Sequence, residues 1–454
     1  MKLLLVFLAL VSAVLCAPST PRKDPFYEPP HGWEKKEPGT ILKSRTIQPG
    51  VFQYLKYDMT AYQLLYRTTA LDEPSHTVTT VLVPQHAEKD KLVLVAPYVD
   101  ADGPECAPSY TVQAGSQLKV DLIGSIQTLL WTALLNEGWI VTVPDHLGPM
   151  NAFAAGRLEA HMLLDGARAT LQYSKLGLHE HTKVVGYGYS GGGISGGWAA
   201  SLQQKYAPNL NIVGWVLGGM PANIHKLITN LEGGTYAGFI VSGLGGLMNA
   251  YQDLRHAIEP RLTHLGHSAV RYVNEHCAPS ISTKFLKEKI LSKKYVHNGK
   301  EILKTEPLKS ILDTLTVGKH EDETPNVPVS YFHAMHDDVI PFGPSADVVE
   351  RWAKNGARVK FIKFTADYLN HAGVGVLHMP YAVQEVRARF RGETIAKGVT
   401  EKRVKDLFHL PNYLTHELEE IWGVLRSLFT REVGPRDTLF LERMESSKRY
   451  SDSG

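Results

Sequence analysis

Short apolar runs rich in β-branched residues recur along the first half of the chain, each bounded by glycine or proline. They are Leu92–Tyr98 (LVLVAPY), Trp139–Asp145 (WIVTVPD), Thr182–Gly186 and Asn211–Leu217 (NIVGWVL). Runs this short and this uniformly apolar fit strands buried on both faces. Upstream, Ala61–Arg67 and Thr77–Pro84 read as an opening pair of strands. Leu122, Ile126, Leu129, Leu130 and Ala133 recur at helical spacing, and Gly138 ends that helix. Strand and helix alternating at this rhythm predict an α/β fold: a mainly parallel central sheet with helices on both faces.

The alternation then breaks. From about Pro221 to Pro325 the pattern is helical without a convincing strand, far longer than an ordinary crossover. This stretch includes Tyr236–Tyr251 (YAGFIVSGLGGLMNAY), apolar, glycine-rich and too short to span a bilayer. Strand signals resume at Val327–Ala334 and at Ala357–Phe364, the latter entered through a helix and an Asn355-Gly356 turn. The remainder reads as helical and increasingly charged. The expected organisation is a signal peptide at 1–17, an extended segment at 18–50 and the first part of a core at 51–220. A helical lid or cap follows at 221–325, then the second part of the core with C-terminal helices at 326–435 and a polar tail at 436–454.

The leader reading rests on Lys2, a largely apolar run from Leu3 to Cys16 and small residues at Ala17-Pro18-Ser19, the layout of a secretory signal. Secretion changes the meaning of the cysteines. Cleavage near Cys16 or Ala17 leaves Cys106 and Cys277, and in an oxidising compartment such a pair most often forms a disulfide, with two separate buried thiols as the alternative. A bridge closing so long a loop is worth roughly 5 kcal/mol in the chain-entropy picture. No Asn-x-Ser/Thr sequon occurs. The 454 residues are 43% hydrophobic and 21% charged, ordinary globular composition that excludes disorder. Lys+Arg 48 against Asp+Glu 46 leave a net +2, which gives no electrostatic case for nucleic acid or an anionic membrane.

Chemistry concentrates at Val184-Val185-Gly186-Tyr187-Gly188-Tyr189-Ser190-Gly191-Gly192-Gly193. Gly188-x-Ser190-x-Gly192 between a strand and a helix fits the nucleophile elbow, a turn so tight that flanking side chains would collide. The helix that follows aims its N-terminal amides at the serine, favouring a developing negative charge. Gly186-x-Gly188-x-x-Gly191 also spells a dinucleotide fingerprint, but no Asp or Glu lies between Gly191 and Leu231 to hold a ribose, and several strands precede it. An elbow serine needs an acid and then a base, in that chain order, past later strand ends. His336-Asp337-Asp338-Val339-Ile340-Pro341 supplies the acid, and chemistry alone does not separate Asp337 from Asp338. Thr365-Ala366-Asp367-Tyr368-Leu369-Asn370-His371 supplies the base. His333, His336 and His378 are rivals, the first two lying before the acid on its own strand and so outside the expected slot. No His-Glu-x-x-His or spaced Cys/His set suggests a metal.

Beyond the elbow, further features accumulate: Asp100 with Cys106-Ala107-Pro108-Ser109-Tyr110; Val143-Pro144-Asp145 with Gly148-Pro149 and Ala152-Phe153; Leu164-Asp165-Gly166 with Arg168-Ala169; and Asp337-x-Val339-x-Pro341. With these the chain resembles the fungal secretory lipases of the Candida antarctica lipase A type. The resemblance implies an α/β-hydrolase core, a helical lid inserted after the strand ending near Met220, and ester hydrolysis without a cofactor. It assigns the nucleophile to Ser190, the acid to Asp337 and the base to His371. It gives the oxyanion hole to the backbone amides of Asp100 and Gly191, and the disulfide to Cys106 and Cys277. A further C-terminal cysteine pair of some relatives is absent here.

The expected activity is that of a secreted, extracellular serine ester hydrolase, foremost a triacylglycerol lipase. Within the same chemistry stands an acetyl esterase acting on a secondary metabolite, of the trichothecene deacetylase type. A serine peptidase on the same fold and a hydrolase scaffold kept as a binding module differ in kind. The expected partner is an acylglycerol or an acetylated small molecule, met at a lipid-water interface by a monomer without a transmembrane anchor. The insertion is expected to cover an acyl pocket, and the sequence leaves open whether it opens or stays packed.

Overall fold

The apolar runs become the centre of one ten-stranded sheet in the computed structural model, which describes residues 17–52, 54–116, 122–405 and 413–435. The expected leader up to Cys16 and the polar tail at 436–454 lie outside the described residues. The strands are β1 (Ile41–Ile47), β2 (Thr60–Ala70), β3 (Glu73–Val83), β4 (Glu88–Ala96), β5 (Trp139–Pro144), β6 (Lys183–Tyr189), β7 (Ile212–Gly218), β8 (Val329–Ala334), β9 (Arg358–Phe364) and β10 (Gly398–Val404). Their spatial order is β1-β2-β3-β5-β4-β6-β7-β8-β9-β10. The first three are antiparallel, β3 pairs antiparallel with β5, and every pair from β5 to β10 is parallel.

Helices α1 (Leu122–Asn136), α2 (Gly156–Gln172) and α3 (Gly191–Tyr206) link the parallel strands. Six more lie between β7 and β8: α4 (Ile224–Leu231), α5 (Gly238–Ala250), α6 (Gln252–Ile258), α7 (His264–Val273), α8 (Ala278–Lys284) and α9 (Leu308–Thr314). After β8 come α10 (Phe342–Lys354), α11 (His371–Leu377), α12 (Met379–Phe390) and α13 (Tyr413–Thr430).

Successive residues of a strand face opposite sides, so β4 feeds two cores. Leu92 and Leu94 belong to the core that also holds Leu163 of α2, Trp198 of α3 and Trp352 of α10. Val93 and Val95 belong to the opposite core, with Trp131 and Leu134 of α1 and Val383 and Val386 of α12. All four β4 side chains are fully buried, each stabilising the fold by about 1.5–3 kcal/mol relative to exposure. The two-sided burial is why these runs carry no polar alternation.

Two strands lie where the pattern gave no strand signal. β1 falls inside the segment read as an extended lead-in, and β10 inside the stretch read as helical and charged. Both are the outermost strands, and their charged residues (Lys43 and Arg45; Glu401, Lys402 and Arg403) replace the apolar run. Charge at a sheet edge blocks further pairing and removes the hydrophobic signature with it.

Between β7 and β8, strand-like pairing among the described residues is limited to isolated bridges, Asn223 with Thr316 and Leu262 with Val296. Asn223 caps α4 by accepting from the Lys226 N–H at 2.8 Å. Ile240, Leu247 and Met248 of α5 join the core that holds α2 and α3. A side chain at Gly246 would meet the backbone N and O of Phe153 at 2.3 Å, so glycine lets α5 lie directly on that segment. Cys106, beyond β4, is bridged to Cys277, the residue before α8, with Cα atoms 5.5 Å apart. Among the described residues no helix is long and apolar enough to cross a membrane.

Candidate active site

Strand β6 ends at Tyr189 and α3 begins at Gly191, leaving Ser190 alone to reverse the chain. Its backbone sits at φ +54°, ψ −124°, a strained conformation for a residue with a side chain. The flanking glycines are enforced by contact. A Cβ on Gly188 would lie 2.4 Å from the Gly192 carbonyl oxygen, and one on Gly192 would lie 1.9 Å from that of Ala96. Gly191, as the first residue of α3, has an N–H without a partner inside the helix. Across from it, Asp100 stands beyond β4 at φ +53°, with its Oδ1 only 2.1 Å from where a Gly191 Cβ would be.

The structure brings three of the expected side chains into one chain of hydrogen bonds. Ser190 Oγ is 2.7 Å from His371 Nε2, and His371 Nδ1 is 2.7 Å from Asp337 Oδ2. An ionised carboxylate only accepts, so Nδ1 carries the proton and Nε2 is left to accept from the serine hydroxyl. Asp337 follows β8 and its Oδ1 accepts from the N–H groups of Val339 at 3.0 Å and Ile340 at 2.7 Å. His371 follows β9 and opens α11, whose cap Asn370 accepts from Gly373 N–H at 3.0 Å. Asp338 takes a different atom of the same histidine: its Oδ1 accepts the His371 backbone N–H at 3.2 Å.

The rival histidines stand elsewhere. His336 is exposed and pairs with Asp367 at 3.0 Å. His378 is buried, donates from Nδ1 to the Val374 carbonyl at 2.7 Å and meets the Tyr187 hydroxyl at 2.9 Å; burial pushes it down to about 4. His333 is fully buried beneath the acid turn, its Nε2 3.6 Å from Asp337 Oδ2. One contact escaped the sequence: the Tyr189 hydroxyl donates to the His371 carbonyl at 2.8 Å, and its ring lies against the imidazole. The pattern Gly-x-Ser-x-Gly accepts any residue there, so nothing singled it out.

Burial works against both carboxylates of the site, with different outcomes. It would raise Asp337, but the hydrogen bond and charge of His371, together with the Ile340 N–H, outweigh it and hold the acid below its usual value. Asp100 lacks such support. Burial pushes its carboxyl up to about 6, against the lowering pull of His371. Ser190 and His371 open onto a cavity of about 290 Å³ walled by apolar side chains, among them Phe153, Ile194, Leu227, Tyr236, Phe239 and Val376. Its walls come from both the core and the helices between β7 and β8.

The family described as Secretory lipase matches residues 112–398. Secreted triacylglycerol lipase LIP3 of Malassezia restricta is 44% identical over 95% of this chain and 93% of its own length. Secreted triacylglycerol lipase LIP5 of Malassezia globosa is 39% identical over 94% and 90%. Among solved structures, Candida antarctica lipase A in its closed state superposes with a TM-score of 0.81 at 29% identity, covering 91% of this chain and 96% of that one. The cell wall degrading esterase LipA of Xanthomonas oryzae, at 14% identity and a TM-score of 0.58, shares the fold. By sequence over nearly its whole length and by the α/β-hydrolase fold, the chain belongs to the secretory lipase family.

Proposed function

We propose that the protein is a secreted triacylglycerol lipase that releases fatty acids through an acyl-enzyme on Ser190. The observation that carries the reading is the pair of 2.7 Å contacts linking Ser190, His371 and Asp337, beside a largely apolar cavity that Ser190 and His371 line. His371 takes the Ser190 proton as the oxygen attacks the ester carbonyl, and Asp337 holds the imidazole in the accepting tautomer and balances its charge. The oxyanion falls between the backbone N–H groups of Gly191 and Asp100, each worth a few kcal/mol in comparable sites. His371 then returns its proton to the leaving alcohol, and water activated by the same ring frees the acid.

The cavity supports a fatty acyl chain, since apart from Asp100, Ser190, His371 and three tyrosines its walls are apolar side chains and glycines. The helices at 221–325 act as its lid, with α5 laid on Phe153 to close the wall. A chain-length series of p-nitrophenyl and glyceryl esters tests the reading. Turnover extending to medium and long acyl chains, and to emulsified triacylglycerol, is expected. Activity confined to acetate would overturn it in favour of a small-metabolite esterase.

A further inference from the structure

A second imidazole stands against the acid turn and has no part in the proton transfers. His333, the fifth residue of β8, is fully buried. Its Nε2 is 3.1 Å from the Ile340 carbonyl oxygen and 3.6 Å from Asp337 Oδ2, and its Nδ1 is 3.3 Å from the Tyr331 hydroxyl. These contacts fix its protonation. A carbonyl oxygen can only accept, so Nε2 carries the hydrogen; Nδ1 is then an acceptor and takes the Tyr331 hydroxyl proton. Tyr331 is oriented for this, because its oxygen accepts the Met220 N–H at 3.2 Å. Burial lowers the affinity of His333 for a second proton, against the raising effects of Asp337 and the Ile340 backbone, so the ring is neutral.

Ile340 is where this matters. Its carbonyl is held by His333, and its N–H donates to Asp337 Oδ1 at 2.7 Å. One residue thus joins the buried imidazole to the carboxylate whose other oxygen meets His371. We infer that His333 is a positioning residue: as the neutral Nε2–H tautomer it grips the Ile340 carbonyl, and through that turn it sets the Asp337 carboxylate against His371. A satisfied core histidine needs only some partner for each nitrogen. Here the partner is the turn that aims the acid.

The inference rests on the reading of Ser190, His371 and Asp337 given above, so its test carries a separate arm for that reading. His333→Leu removes the donor, whereas His333→Gln keeps an N–H able to reach the same carbonyl. On p-nitrophenyl butyrate the leucine variant is expected to lose about tenfold or more in kcat with KM within about twofold, and the glutamine variant to recover to within about threefold of the parent. In the unaltered protein, nitrogen-15 NMR of the imidazoles is expected to place the His333 proton on Nε2. Wild-type kcat in His333→Leu, a glutamine variant no faster than leucine, or a proton on Nδ1 would each overturn the inference. Should the leucine variant fail to fold, the tautomer decides alone. Ser190→Ala in the same assay separates the two claims: an active Ser190→Ala defeats the triad, whereas an inactive one beside a fast His333→Leu defeats only this proposal.

Discussion

Asp337 and Asp338 are adjacent and chemically identical, yet they meet His371 through different atoms, one the ring Nδ1 and the other the backbone N–H. Only the first contact sets the tautomer and balances the charge that forms on the ring. Asp337→Asn is therefore expected to lower kcat by about 10³–10⁴, as comparable triads do. Asp338→Asn keeps an oxygen for the backbone N–H and is expected to stay within about threefold of the parent. Steady-state kinetics on a soluble ester checks both, and equal losses would show that the acid has been misassigned. Composition and spacing could not make this choice, because either aspartate could be the turn residue. Ser190 and His371 were more legible, the first because its glycines are required by contact and the second because it follows the next strand. Tyr189 and His333 were not, since their roles depend on where a hydroxyl or an imidazole points.

At the scale of elements, the site is assembled from the ends of parallel strands: Ser190 after β6, Asp337 after β8, His371 after β9 and Asp100 after β4. Parallel strands put all four ends on one edge of the sheet, which is why residues so distant in sequence converge. The buried strands were legible as apolar runs, and the edge strands β1 and β10 were hidden by the charges that protect them. The helices between β7 and β8 add the roof, and their seating depends on Gly246. A methyl group there would meet backbone, which cannot step aside. Gly246→Ala is expected to cost about 1–3 kcal/mol in stability and to weaken turnover of long-chain esters more than of short ones. Thermal melts and the same ester series check this; an unchanged chain-length profile would mean that α5 does not shape the cavity.

For the whole molecule, two packed faces of the sheet supply the rigid frame, and the disulfide from Cys106 to Cys277 ties the loop beyond β4 to the inserted helices. The fold could be read from the chain because it is written in local pattern and order, and the same order put Ser190, Asp337 and His371 in sequence as the candidates that the structure brings together. The cavity could not, since it depends on which apolar side chains of the insertion turn inward. The central claim is that one serine of this large assembly is made nucleophilic by His371. Covalent labelling with a fluorophosphonate, followed by intact-mass measurement and peptide mapping, tests it most directly. A single adduct on Ser190, lost in Ser190→Ala and strongly slowed in His371→Ala, is the expected result. An adduct on another residue, or labelling that persists unchanged in Ser190→Ala, would contradict it.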